Sequence, residues 1–423
     1  MKIRVENLPC NSQYGNISVI GVQDRGAAKA CCQYKLNHEE NPTWPNIHNM
    51  HSLEDAHIDE WFNYDPEIHC ATCIHEEKGG VSSLRNHWNV QIPNKIPLEH
   101  SIKHHKGKYA IQSLELAFDN TCNMMCRICN PGQSSKWSAS PILPELRQNI
   151  FDSIYWPVPN NDTKSYRKNL KRVLSNTNLS KLRQVLLVGG EPLYTKALPW
   201  FINLLKEKRP NDWQIIRITC VTNGGLMPDP DLFRGFDIKF QISIDGIGDL
   251  QTASRLKIPW ETIDKNIRAM NELYKISIHS TISILNINKI AELMLYCDNL
   301  NIPHCMAMLH DPIYYRLDNV PKEHRIRWLK TLQPMHTHAQ HWQDRWHWVK
   351  LGMSYLEMPY QENPKAVKEF LAAIKITDKE STIPFADTNP EIMKIMEGLY
   401  KQFRDRGEYS NEDALSIYFE NIS

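Results

Sequence analysis

Cys122-Asn-Met-Met-Cys126-Arg-Ile-Cys129 places three thiols on one short stretch of chain. Three thiolates at this spacing on a tight loop can hold three irons of a 4Fe–4S cluster and leave the fourth iron open to an exchangeable ligand. Zinc is the competing occupant, and plain buried cysteines are a third reading. Zinc sites usually take a fourth protein ligand, and none is adjacent. The chain has eleven cysteines. Cys10, Cys31, Cys32, Cys70 and Cys73 fall in its first quarter, while Cys220, Cys297 and Cys305 are scattered. The residues Met1–Glu6 lack the apolar stretch of a signal peptide, and no apolar run approaches a membrane span, so the expectation is a cytoplasmic protein. An odd number of cysteines there points to metal or catalytic use rather than to a disulfide framework.

Four other segments carry chemistry. Gly189-Gly190-Glu191-Pro192 joins two glycines, which allow close backbone approach to a ligand, to a carboxylate that can accept from an ammonium group; a tight turn before a helix is the plainer reading. Thr222-Asn223-Gly224-Gly225 reads as a turn. Ser243-Ile244-Asp245-Gly246 ends an apolar run, and period-two alternation sets Ser243 and Asp245 on one side, where they could bind a carboxylate, hydroxyls or an amine. Arg255 follows and could pair with a carboxylate.

These segments need a scaffold that brings them together. The 423 residues suggest two or three domains. Three textures appear: a polar stretch over 1–106 rich in His, Asn and Pro, a middle region over 107–315, and a helix-rich region over 316–423. The middle region offers six candidate strands, Gln112–Phe118, Gln184–Val188, Ile215–Val221, Ile238–Ile244, Ser277–Leu285 and His304–Leu309, separated by helix-length segments. That alternation predicts an α/β fold with a parallel sheet, which right-handed crossovers curl into a full or partial barrel. Each chemical segment falls at or just after the end of a strand, and in a parallel barrel those ends share one face. The insertion Pro131–Lys181 is expected to hold extra helices, and Ile92–Lys108 reads as a linker. Charged residues make up 23% of the chain with a net charge of +1, so no excess of either sign points to nucleic acid or an anionic membrane as the main partner.

Taken in order, the three-cysteine loop, Gly-Gly-Glu-Pro, Thr-Asn-Gly and Ser-Ile-Asp-Gly with its downstream Arg resemble the radical S-adenosylmethionine superfamily, most nearly its subgroup with SPASM or Twitch auxiliary-cluster domains. The resemblance covers about residues 108–315 and implies a partial (β/α)6 TIM-like barrel with a small N-terminal cluster-binding domain and a helical C-terminal region. It implies that Cys122, Cys126 and Cys129 bind the cluster, that Gly189, Gly190 and Glu191 hold the amino group of S-adenosylmethionine, and that Ser243 and Arg255 meet its carboxylate, with Asn223 and Asp245 lining the site. Ile128 departs from the pattern, since the family usually has an aromatic residue there. In the N-terminal region the runs Ile17–Val22 and Ala27–Gln33 read as a β-hairpin. A short helix over Ser52–Asn63, with Ser52 and Asp55 as a capping box, and Cys70-Ala-Thr-Cys73 at the start of another helix follow. This resembles a Twitch domain, which implies a second 4Fe–4S cluster on Cys10, Cys31, Cys70 and Cys73; Cys32 could replace Cys31, and a zinc ribbon is the alternative. SPASM domains commonly follow the radical core, whereas this one precedes it.

The implied activity is reductive cleavage of S-adenosylmethionine to a 5′-deoxyadenosyl radical that abstracts hydrogen from a substrate. A peptide or protein is the leading substrate class, and a flavodoxin- or ferredoxin-type protein the implied electron donor. Two alternatives stand beside it: a radical enzyme acting on a nucleoside or sugar, and a non-enzymatic iron–sulfur or zinc protein. Cys220, Cys297 and Cys305 read as small buried hydrophobes, His104 and His105 as solvated, and the Trp342–Trp348 run as a packing helix. The sequence singles out no general acid or base.

Overall fold

The computed structural model describes residues 16–19, 28–29, 47–53, 73–74, 77, 111–150, 163–332 and 359–409. Cys10, Cys31, Cys32 and Cys70, all but the first two residues of the helix expected over Ser52–Asn63, the linker at 92–108 and the Trp342–Trp348 run lie outside the described residues.

The first elements are β1 (Asn16–Val19), β2 (Ala28–Lys29), β3 (Ser113–Ala117), β4 (Met125–Cys126), α1 (Ser135–Ser138), α2 (Leu143–Asn149), α3 (Thr163–Asn176), β5 (Gln184–Val188), α4 (Ala197–Lys208), β6 (Arg217–Thr222) and α5 (Pro230–Phe233). There follow β7 (Asp237–Ser243), α6 (Gly248–Ser254), β8 (Arg255–Leu256), α7 (Trp260–Leu273), β9 (Lys275–Ile282), α8 (Ile290–Asn299), β10 (His304–Met308), α9 (Lys322–Leu332), α10 (Pro364–Asp378), α11 (Phe385–Thr388) and α12 (Pro390–Asp405). The fold is mixed α/β with a parallel sheet of six strands, β3, β5, β6, β7, β9 and β10, as the alternation predicts. The insertion after β3 holds α1, α2 and α3. Two strand boundaries move for local reasons. Trp213–Ile215 form a 3-10 turn, which delays β6 to Arg217. Ser283 accepts from the Leu285 N–H at 3.2 Å and its own N–H donates to Asn286 Oδ1 at 2.9 Å, which turns the chain out of β9 early.

The described residues fall into two compact units. The first takes in residues up to 121, then 160–221 and 228–239; the second takes in 122–159, 222–227 and 240 onward. In the first unit β3, β5 and β6 run parallel, with Ser113 opposite Gln184 and Gln184 opposite Arg217. The expected hairpin is present as β1 and β2, antiparallel with Val19 opposite Ala28. The sequence did not foretell that β1 also joins β3 in parallel, from Asn16–Ser113 to Val19–Leu116. Leu170, Val173 and Leu174 of α3 and Phe201, Ile202 and Leu205 of α4 are buried, at the spacing that puts one face of each helix on the core. Arg172 of α3 donates to the Met50 and Ile47 carbonyls at 2.7 and 2.9 Å, and the Leu53 N–H donates to Thr177 Oγ1 at 3.0 Å, so this helix end fastens residues 47–53.

In the second unit β9 and β10 pair in parallel, with His304 opposite Ile278. The Ile244 N–H beyond β7 donates to the His279 carbonyl of β9 at 2.9 Å. Helix α10 opens on an Asn363 cap, whose side chain accepts from the Ala366 N–H at 3.0 Å, with Pro364 in the first turn, where a missing N–H costs nothing. Helix α12 buries Ile392, Met396, Leu399, Tyr400 and Phe403 along one stripe.

The Tyr166 hydroxyl of α3, buried against the sheet, donates to the Ala117 carbonyl at the end of β3 at 2.7 Å. Tyr166→Phe should lower the unfolding free energy by about 1 kcal/mol, read as a lower urea midpoint at constant m. An unchanged midpoint would show that this bond does not help to fix the strand end.

Candidate functional site

In the first unit Ala117 lies opposite Val188, so the segments that follow β3 and β5 leave the sheet side by side. The Gly190 N–H donates to the Asp119 carbonyl at 3.0 Å and the Glu191 N–H to the Thr121 carbonyl at 2.8 Å. Gly189 has φ +106°, and a Cβ built on it would lie 2.9 Å from the Asp119 oxygen; a Cβ on Gly190 would lie 2.3 Å from the Thr121 oxygen. The close approach that these glycines permit is therefore to the chain's own backbone, immediately before Cys122. Glu191 is buried, and its Oε1 accepts from the Leu193 N–H at 3.0 Å.

Asp119 anchors this junction. Its Oδ1 accepts from the Thr121 N–H at 2.6 Å, while its Oδ2 accepts from Arg167 Nε at 2.6 Å and Thr195 Oγ1 at 3.1 Å. Arg167 also donates to Thr121 Oγ1. Burial alone would raise the Asp119 pKa, but the hydrogen bonds from Arg167 and Thr121 outweigh it and hold the carboxyl below the usual carboxylate value.

The second unit carries the cysteine loop. The Cys122 N–H donates to Ser135 Oγ at 3.1 Å, Ser134 Oγ donates to the Met124 carbonyl at 2.7 Å, and Trp137 Nε1 donates to the Cys126 carbonyl at 2.9 Å. Strands β4 and β8 form a short antiparallel ribbon that sets Arg255 directly opposite Cys126. Two of the sulfurs face N–H groups. Met124 N lies 3.4 Å and Asn223 Nδ2 3.9 Å from Cys122 Sγ, and Arg255 Nη1 lies 3.9 Å from Cys126 Sγ. Burial pushes the Cys126 thiol up to about 12, with Arg255 opposing and Cys122 adding to the rise. Burial and then the neighbouring Cys126 and Cys122 push Cys129 well above its ordinary value. Among the described residues no group of three or more His, Cys, Asp or Glu side chains is arranged to hold a single ion. Two buried thiols that face N–H donors, with the half-buried Cys129 beside them, fit a cluster that would bring its own positive charge, hold them as thiolates and accept hydrogen bonds at sulfur.

Asn223, at the end of β6, accepts from the Gly225 N–H at 2.9 Å and donates to Asn123 Oδ1 at 2.7 Å, inside the loop. Beyond β7, where Ser243 is half-buried, Asp245 is buried and accepts from Arg255 Nε at 2.8 Å and from the Thr281 N–H at 3.1 Å. Gln251 Oε1 accepts from the Asp245 and Gly246 N–H groups at 2.9 and 3.2 Å, and Asn286 Nδ2 donates to the Asp245 carbonyl at 2.9 Å. The second unit thus gathers Cys122, Cys126, Asn223, Asp245 and Arg255, while Gly189, Gly190 and Glu191 meet residues 119–121 in the first. Sequence reasoning missed Asp119, Arg167, Gln251, Asn286 and Arg127. Only Arg127 carried a local signal, as a charge lodged between two candidate ligands. Cys73 is buried on a helical stretch; Cys220 and Cys297 are buried as expected, but Cys305 is only half-buried.

A group whose folded pKa is depressed stabilises the fold above its unfolded pKa, about 3.9 for Asp, and loses that contribution as pH falls through the folded value. Asp119→Asn should therefore flatten the fall in stability below about pH 4 and lower stability at neutral pH. Chemical denaturation of both proteins across that range checks it; parallel acid limbs would count against the Arg167–Asp119 pair.

Residues 117–295 match the model of the Radical SAM superfamily. No curated protein matches the chain. Among solved structures, the chain is similar to one described as native anSMEcpe with bound AdoMet, with 15% identity over 54% of this chain and 60% of that one and a TM-score of 0.36. It is also similar to SuiB of Streptococcus suis bound to S-adenosylmethionine, with 15% identity over 54% of this chain and 45% of that one and a TM-score of 0.33. The chain thus spans less than two thirds of the length of these two proteins. The chain is an enzyme whose residues 117–295, with the cysteine loop just beyond β3, match the Radical SAM superfamily model.

Proposed function

We propose that the chain reductively cleaves S-adenosylmethionine at a 4Fe–4S cluster held by Cys122, Cys126 and Cys129. The observation that carries this reading is the cysteine loop itself: three coupled thiols, with N–H groups facing the sulfurs of Cys122 and Cys126, inside the segment that matches the family. A reduced cluster there would supply the electron that cleaves bound S-adenosylmethionine to methionine and a 5′-deoxyadenosyl radical able to take a hydrogen atom from a substrate carbon.

The chain's own residues bind and orient. Gly189, Gly190 and Glu191 are assigned to the amino group of S-adenosylmethionine, and Ser243 and Arg255 to its carboxylate, with Asn223 and Asp245 lining the site. Asp245 accepts from Arg255 Nε and so fixes the plane of the guanidinium, leaving the Nη face to meet an anion. Asn223 bridges the loop at Asn123 to the turn after β6 and holds the Cys122 side in place. The substrate is assigned to the peptide and protein class, and the electron donor to the flavodoxin or ferredoxin type. Residues 1–106 are assigned to an auxiliary domain whose Cys10, Cys31, Cys70 and Cys73 hold a second cluster, ahead of a core at 107–315 and a helical region at 316–423. The protein is placed in the cytoplasm.

Anaerobically reconstituted protein with dithionite should convert S-adenosylmethionine to 5′-deoxyadenosine, detected by chromatography. None formed while the cluster is reduced would refute the reading. The Cys122→Ala/Cys126→Ala/Cys129→Ala variant should lose that activity and retain about four irons if the N-terminal cysteines hold their own cluster. Zinc there, or no metal, would remove the auxiliary cluster from the scheme.

A further inference from the structure

Arg127 sits between Cys126 and Cys129 and is completely buried. Its backbone N–H donates to the Ser254 carbonyl at 3.0 Å and its Nε to the Ala253 carbonyl at 2.7 Å, both at the end of α6. Nη1 reaches the Ile374 carbonyl at 3.4 Å and Thr377 Oγ1, and Nη2 pairs with Asp378, all in the last turn of α10. The guanidinium also lies 5.6 Å from the centroid of the Phe385 ring. Asp378 is itself held, accepting from the Phe385 N–H at 3.1 Å.

A buried cation is costly unless it is paired and hydrogen-bonded. Here it meets a carboxylate, a hydroxyl, two carbonyls and a ring face, and it lies at the negative end of the α10 dipole. The other ion pairs of the α10 end, Lys257–Glu380 and Lys379–Glu145, are partly exposed and worth little. Arg127 is thus the strong attachment between the cysteine loop and residues far beyond the matched segment, which ends at 295.

We propose that Arg127 is a positioning residue: through Asp378 and Thr377 it fastens the Cys126–Cys129 half of the loop to α10, which makes the C-terminal helical region a structural part of the cluster site. The fastening can be read on the thiols without any cluster, whereas its consequence for cluster binding rests on the proposed function above.

The test uses the full chain in its metal-free form, with maleimide labelling of individual cysteines followed by peptide mass spectrometry. The variants are Arg127→Met, Arg127→Lys and Asp378→Asn. Cys297, fully buried on α8 of the same unit, reports unfolding of that unit in the same sample. Labelling of a buried thiol follows the population of locally opened molecules. In Arg127→Met and Asp378→Asn, Cys126 should label about tenfold faster than in the wild type while Cys297 does not change, with Arg127→Lys intermediate. The double variant Arg127→Met/Asp378→Asn should be no faster than the faster single one, as expected for partners in one interaction. Wild-type protection of Cys126 in Arg127→Met would overturn the proposal, and so would Cys126 and Cys297 accelerating together, which would mark an ordinary core ion pair. If the wild-type enzyme failed to cleave S-adenosylmethionine, the proposed function would fall and the labelling result would stand.

Discussion

The backbone contact between residues 119–121 and residues 189–191 is the constraint from which the site begins. Two parallel strands end in register, Ala117 beside Val188. Two N–H···O bonds then continue the pairing past the sheet, Gly190 to Asp119 and Glu191 to Thr121. No side chain fits between the two segments, because even a methyl group on Gly190 would overlap the Thr121 oxygen. The residue after Thr121 is Cys122, so the first thiol starts from a fixed point. Asp119, Arg167 and Thr195 surround that point with charged and hydroxyl groups, and α3, which carries Arg167, also grips residues 47–53 through Arg172. One helix therefore fastens both the approach to the cysteine loop and a described piece of the N-terminal region.

Buried and half-buried ion pairs recur around the site, and their value there is geometric. Replacing such a pair by apolar groups is often neutral or stabilising, so stability alone does not account for them. Asp245 and Arg255 are both buried, and their pairing leaves the guanidinium with one orientation, opposite Cys126. Arg127 and Asp378 form a second pair, with the arginine inside the loop and the carboxylate on α10. A two-residue ribbon such as β4–β8 has little stability of its own. It persists because charge-assisted bonds and the Trp137 and Ser134 side chains hold the loop from several sides.

The scaffold was legible because it is written locally. The six strands are short runs rich in Ile and Val, and the helices between them repeat apolar residues at helical spacing, so composition and period located them to within a few residues. The cysteine loop and the segments after β5, β6 and β7 were legible for the same reason, since each is contiguous and each follows a strand. What could not be read depends on distant parts of the chain. Arg127 meets Asp378 across some 250 positions, and no periodicity ties one to the other. Gln251 and Asn286 look like ordinary polar residues until the fold sets both against the Asp245 backbone. The pairing of β1 with β3 was hidden because a hairpin explains its residues equally well without a third strand.

The same distinction bears on where this enzyme ends as a functional object. The matched segment stops at residue 295, yet the loop after β9 is held from beyond it. The Asn389 side chain donates to the Leu285 carbonyl at 3.1 Å and to Asn288, which in turn donates to Glu391 at 2.8 Å. The neighbouring Asn286 donates to the carbonyl of Asp245, the partner of Arg255. A chain of hydrogen bonds and adjacent residues thus runs from α12 to the guanidinium beside Cys126, and Arg127 provides a second and more direct line from α10. Residues beyond the matched segment are thus in contact with residues inside it. Changes in the C-terminal helices should for that reason be felt at the cysteine loop before they are felt in the sheet.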